Sequence, residues 1–113
     1  MPEALPELDV TAVPDEIPPG VTMLDVREDD EWRAGHIDGA VHIPLMQVPR
    51  RLAELDAHDR VLVVCKVGGR SAQATQFLCA QGRDAANLSG GMIAWEAAGR
   101  PMVRDGAGAP FVA

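Results

Sequence analysis

Hydrophobic positions along this chain come in short bursts, each long enough for a strand or a few helical turns, with polar or Gly/Pro-rich segments between them. Residues 1–6 read as a loose end. Residues 7–10 read as a short β segment, followed by TAVPDEIPPG, whose prolines and glycine mark a turn. VTMLDVR (21–27) is an apolar run closed by charge, the pattern of a buried strand. EDDEWRAG (28–35) predicts a short helix ending at Gly35. Residues 40–43 predict a short strand stopped by Pro44, and Pro49 fits the first turn of a helix through RRLAELD, where its missing amide costs nothing. RVLVVC (60–65) is the clearest strand of all. A continuous β-branched run of this kind suits a central parallel strand covered on both faces.

Beyond that strand, Ser71 is placed to cap a helix AQATQFLCAQ, with Gly82 as its stop. Residues 85–88 predict a weaker strand, and 92–98 a helix closed by Gly99 and Pro101. Residues 104–113 form a Gly/Pro-rich tail in which Phe111 and Val112 could pack back on the body. Strands alternating with short helices imply an α/β domain with a mostly parallel central sheet of about five strands. No internal repeat or boundary divides it. The expected organisation is a domain over 7–103 between the loose start and the tail.

Composition narrows the function. At 113 residues, with 47% hydrophobic and 24% charged residues, the chain is ordinary globular material. No stretch approaches the roughly 20 apolar residues of a membrane span, and the start lacks the basic and apolar regions of a leader. A cytoplasmic protein without membrane contact is the expectation. A net charge of −7 argues against nucleic acid, since a phosphate backbone asks for a basic face. Two cysteines make neither a disulfide framework nor a zinc pattern.

One cysteine sits in a setting that suggests chemistry. In open α/β sheets ligands gather at the carboxyl ends of the strands, and Cys65 ends the strongest strand. It is followed by a loop that feeds a helix N-terminus. Gly68 and Gly69 would let the backbone curl so that successive amides converge. The helix start adds positive potential, and Lys66 and Arg70 bracket the loop with full charges. Such surroundings favour thiolate over thiol. A bland reading treats Cys65 as a small hydrophobe with solvated charges beside it. The combination of strand end, glycine loop, two cations and helix start outweighs that reading.

At this point the chain resembles the rhodanese family of sulfurtransferases, through LDVREDDEWRAGHIDGAVHIP, CKVGGRS and LSGGMIAWEAAGRP in that order, over roughly residues 7–102. The resemblance implies that Cys65 is catalytic and that Lys66, Val67, Gly68, Gly69, Arg70 and Ser71 form the loop that binds the sulfur donor. It implies that Asp25 and Arg27 lie near the loop and tie strand ends together, and that His36 orders the turn after the first helix. Four residues separate Cys65 from Arg70. The related cysteine-dependent phosphatases place one more there and usually a histidine before the cysteine, where this chain has Val64, so phosphatase or arsenate-reductase chemistry is disfavoured. The implied reaction is a double displacement. Cys65 takes a sulfur from thiosulfate or a persulfide, holds it as a persulfide, and passes it to cyanide or a thiol, with no metal or organic cofactor. The competing reading is a sulfur-carrier or protein-interaction module whose donor and acceptor are proteins.

Other residues are set aside. Cys79 lies about 12 Å along the predicted helix from Ser71, beyond the ~7 Å that a disulfide tolerates, and reads as packing. His36, His42 and His58 lack metal-ligand spacing. The carboxylates Asp25, Glu28, Asp29, Asp30 and Glu31 read as a solvated helix start, with an Arg27–Glu31 pair as local support. Trp32 and Trp95 read as core or rim packing; a secondary reading has Trp95 wall the active-site pocket, because the SGG turn before it should lie near the loop at the same edge of the sheet.

Overall fold

The computed structural model describes residues 5–113, and its core is a sheet of five parallel strands. These are β1 (Glu7–Asp9), β2 (Val21–Asp25), β3 (Val41–His42), β4 (Arg60–Val64) and β5 (Ala85–Ser89), arranged β1-β5-β4-β2-β3. The helices are α1 (Asp29–Ala34), α2 (Gly69–Ala80) and α3 (Gly91–Ala97). The α/β expectation with about five strands holds. The segment from Pro49 is a 3-10 helix (Pro49–Glu54) rather than an α-helix. Residues 1–4 of the expected loose start lie outside the described residues; the next part is tied down, since the Pro6 carbonyl accepts the Asn87 amide at 2.8 Å.

β4 explains why its apolar run has no polar alternation. Successive side chains point to opposite faces, and both faces are covered. Val61, Val63 and Cys65 pack in one cluster with Leu24, Val26, Ile43, Ala74 and Leu78. Leu62 and Val64 pack in the other with Met23, Leu88, Met92 and Trp95. The same parity fixes the direction of the Cys65 side chain: it shares the face covered by α2.

The carboxyl end of β2 is fastened by a buried charge pair. Arg27 donates to Asp25 through Nε (3.0 and 3.1 Å) and Nη2 (2.8 Å), with both side chains wholly buried. Arg27 Nη2 also donates to the Gly35 carbonyl at 2.7 Å, and the Arg27 carbonyl accepts His42 Nε2 at 2.7 Å. One residue thus joins the ends of β2, α1 and β3. The expected Arg27–Glu31 pair does not form, because Arg27 turns inward to Asp25. His36 does hold the turn after α1: its Nδ1 donates to the Trp32 carbonyl at 2.7 Å, its ring stacks on Trp32 at 3.5 Å, and its backbone pairs with Val103.

Trp95 belongs to the core. It is fully buried, its indole Nε1 donates to the Pro101 carbonyl at 2.9 Å, and Arg100 lies over its ring. It packs on the sheet face opposite Cys65, so core packing holds for it and the pocket-wall reading does not. Cys79 is exposed rather than packed. Among the described residues no helix is long and apolar enough to cross a membrane, and no cluster of metal-ligating side chains occurs.

The C-terminal segment docks. The Phe111 amide donates to the Ala34 carbonyl at 3.0 Å, Val112 N donates to Glu96 Oε2 at 3.0 Å, and Arg104 lies 5.3 Å from the Phe111 ring. Gly35 permits this, because a Cβ there would stand 2.5 Å from the Phe111 carbonyl oxygen and 2.8 Å from its nitrogen. Replacing Gly35 with alanine should therefore cost about 1–3 kcal/mol, the usual size of an overpacking defect. Limited trypsin digestion should show faster cleavage after Arg104, and thermal unfolding a lower midpoint.

Candidate active site

The site is built where β4 runs into α2. Cys65 is 1% exposed, so its sulfur has lost almost all contact with water. In exchange it accepts a hydrogen bond from the Gly68 amide at 3.1 Å and another from the Ser71 hydroxyl at 3.2 Å. Burial is the largest single influence on its acidity and pushes the thiol up. The Ser71 hydroxyl and the amides of Ser71, Gly68 and Val67 together outweigh it, and the net effect lowers the thiol below its ordinary range. Preorganised dipoles of this kind are worth most where water is excluded.

Three observations explain why the amides converge. Gly68 sits at φ +120°, outside the range comfortable for side-chain-bearing residues, and this bend aims its N–H back at the sulfur. α2 begins at Gly69, so its first turn points its free N–H groups at the same place. The loop carbonyls are drawn the other way: Cys65 O accepts Met92 N at 2.8 Å and Lys66 O accepts Ile93 N at 3.0 Å. Those donors are the start of α3. Gly91 makes that approach possible, since a Cβ there would lie 2.4 Å from Cys65 O and 2.6 Å from Lys66 O. The SGG turn therefore lies against the loop, as its place at the same sheet edge implied.

The residues singled out from sequence fall as follows. Lys66 is partly exposed just past the sulfur. The Val67 side chain is 66% exposed while its amide faces inward to the thiol. Gly69 opens α2 and, unlike Gly68, has no positive φ. Ser71 is not the helix cap: that position belongs to Gly68, and Ser71 stands inside the first turn, fully buried, with its hydroxyl on Cys65. Arg70 is not a free cation but is held by Glu31, Nη1 to Oε1 at 2.7 Å and Nη2 to Oε2 at 2.9 Å. Asp25 pairs in register with Val64, one residue before the cysteine.

Two contributors were not anticipated. Asn87, buried on β5, donates from Nδ2 to the Gly68 carbonyl at 3.2 Å and so steadies the peptide beside the sulfur. Asparagine is disfavoured inside strands, and that misfit was its one signal in the sequence. Glu31 had none, being 39 positions from Arg70.

Comparison with known proteins accords with this geometry. Residues 12–98 match the family model described as the rhodanese-like domain. The chain belongs to the rhodanese-like domain family. It is 38% identical over 79 residues to a putative sulfurtransferase, YtwF, of Bacillus subtilis, covering 70% of this chain and 77% of that protein. It is 35% identical over 79 residues to the thiosulfate sulfurtransferase GlpE of Shewanella oneidensis, covering 69% and 78%. A putative sulfur carrier protein of Bacillus subtilis, YrkF, is 35% identical over 95 residues; these cover 81% of this chain but only 51% of that longer protein. Among solved structures, a rhodanese-related protein from Thermoplasma volcanium superposes with a TM-score of 0.82 at 29% identity, covering 88% of this chain and 99% of that one. With single-domain relatives so named, sulfur transfer is the reaction class of this rhodanese-family enzyme.

The thiol environment yields a direct test. A hydrogen bond to a charged acceptor is worth about 1.5–3 kcal/mol, and Ser71→Ala removes one that favours the thiolate. The pH midpoint for alkylation of Cys65 by iodoacetamide should move upward while the fold persists. The sign also fixes a linkage: with its folded pKa depressed, the thiol stabilises the fold above the ordinary thiol range, and this contribution is lost as pH falls through the folded pKa.

Proposed function

We propose that Cys65 is the catalytic residue of this sulfurtransferase and carries a sulfane sulfur from thiosulfate or a persulfide donor to a thiophilic acceptor. The thiolate attacks the outer sulfur of thiosulfate. The bond between the two donor sulfurs breaks, sulfite leaves with the electron pair, and Cys65 becomes a persulfide anion, with total charge conserved. Cyanide or a thiolate then attacks the terminal sulfur and departs as thiocyanate or a new persulfide, restoring the Cys65 thiolate. The cycle calls on no metal or organic cofactor.

In this reading the amides of Val67, Gly68 and Ser71 and the Ser71 hydroxyl hold the anionic sulfur, in the manner of preorganised donors at other covalent sites. Lys66, Gly69 and Arg70 complete the loop that receives the donor, and Asp25 and Arg27 keep the neighbouring strand end rigid. The observation that carries the reading is the set of donors on a sulfur that is 1% exposed and yet more acidic than an ordinary thiol. A cytoplasmic setting, where both thiols stay reduced, is part of the proposal.

A second reading, a sulfur carrier working between proteins with little small-molecule turnover, is favoured by the likeness to the carrier protein YrkF. One experiment separates the two. The protein is incubated with thiosulfate and weighed intact, then cyanide is added and thiocyanate assayed. Wild type should gain the mass of one sulfur and release it, and Cys65→Ser should do neither. Turnover persisting in the serine variant would overturn the mechanism. Full loading with negligible release to cyanide would transfer the weight to the carrier reading.

A further inference from the structure

The loop cation nearest the helix start does not act alone. The Glu31 carboxylate meets the Arg70 guanidinium end-on through two short hydrogen bonds, at 2.7 and 2.9 Å. This is the bidentate geometry in which both partners are held most firmly. Glu31 is placed for it by α1: the same carboxylate accepts the Glu28 amide at 3.0 Å, which fixes its rotamer at the helix start. The pair stands at the rim of the site, with side-chain exposures of 34% for Arg70 and 15% for Glu31. The bond to Arg70 holds the Glu31 pKa at about 2, against an ordinary 4.5, so the carboxylate remains charged at any working pH. Glu28 also acts on Arg70 electrostatically.

An approaching donor therefore meets a neutralised pair at residue 70. Among the described residues Lys66 has no carboxylate within ion-pair distance, so it is the loop's uncompensated cation, on a chain of net charge −7. Electrostatic attraction grows in proportion to the charge of the donor, so cancelling one cation penalises a dianion about twice as much, in logarithmic terms, as a monoanion.

We propose that Glu31, through its pair with Arg70, is a specificity-determining residue that biases the site toward sulfane-sulfur donors carrying one negative charge and against dianions such as thiosulfate. The inference rests on the reading of Cys65 as the sulfur acceptor and adds the charge class of the donor. The amide donors at the sulfur are untouched by it: they serve the bound sulfur, whereas Glu31 acts on the donor's outer group.

The test uses two donors of nearly the same shape. Thiosulfate is a dianion; in methanethiosulfonate a methyl group replaces one charged oxygen, and it transfers its outer sulfur in the same way with methanesulfinate leaving. The rate of persulfide formation on Cys65 is measured by intact mass for wild type, Glu31→Gln, Arg70→Gln and the double variant. At low salt and rim distances, removing one charge should be worth on the order of threefold per donor charge. Glu31→Gln should then speed loading from thiosulfate roughly tenfold and from methanethiosulfonate roughly threefold, shifting their ratio by about threefold. About 0.5 M salt should erase most of that shift. Arg70→Gln, which bares Glu31, should slow thiosulfate more than methanethiosulfonate, and the double variant should recover part of the loss. A purely structural Glu31 would instead lower the thermal midpoint and slow both donors alike; an unmoved ratio in Glu31→Gln, with both donors still loading, overturns the assignment and leaves the reading of Cys65 standing. Failure of wild type to gain sulfur from either donor would remove that reading itself.

Discussion

The site depends on a contest at one atom. The Cys65 sulfur is almost wholly withdrawn from water, which by itself favours the neutral thiol, and only fixed hydrogen-bond donors reverse the preference. Such donors succeed because they are oriented before any charge forms, so charging the sulfur requires little further reorganisation. The orientation comes from the two helices that flank the loop. α3 binds the carbonyls of Cys65 and Lys66 on one side, and α2 presents its free amides on the other. With the carbonyls held outward, the amides of the same loop have one direction left.

This arrangement assigns different tasks to dipoles and charges. Hydrogen-bonding dipoles act within a few ångströms and are nearly indifferent to salt; full charges act further out and are screened. Here the dipoles are concentrated on the sulfur, while the guanidinium of Arg70 is shared with Glu31. The buried Asp25–Arg27 pair works in a third way. Arg27 Nε and Nη2 are bonded to Asp25 and to the Gly35 carbonyl while Nη1 has no partner among the described residues, and the pair serves as a clasp between strand ends. In the proposed cycle the terminal sulfur of a persulfide lies about 2 Å beyond Sγ, so a buried nucleophile can still present the transferable atom nearer the mouth.

The parts legible in the sequence were those governed by local rules. The β4 run announced a strand covered on both faces, and Cys65 at its end marked the place where the proposed site lies, because periodicity and strand-end position are properties of neighbouring residues. SGG placed a tight turn at the same edge for the same reason. The misreadings arose where distant residues compete for one partner. Arg27 and Glu31 are four apart and would pair on an isolated helix. In the fold Asp25 is buried beside Arg27, and α1 swings Glu31 toward Arg70 instead. For Trp95 the packing reading holds, since burial and its bond to Pro101 O place it in the core, and only the secondary reading of it as a pocket wall fails.

Ser71 shows how a wrong assignment can conceal a better one. A serine ahead of an apolar-periodic helix is an ordinary cap, and a cap spends its hydroxyl on backbone amides. The glycine three positions earlier takes the cap instead, because its φ of +120° turns the chain sharply into the helix. That displacement puts Ser71 into the first turn, on the α2 face that covers Cys65, and frees its hydroxyl to donate to the sulfur. Gly68 and Ser71 are therefore one device. Starting the helix at the cysteine's own loop, three residues earlier than a serine cap would allow, converts a capping side chain into a donor for the thiolate and brings the first-turn amides into reach of the same atom.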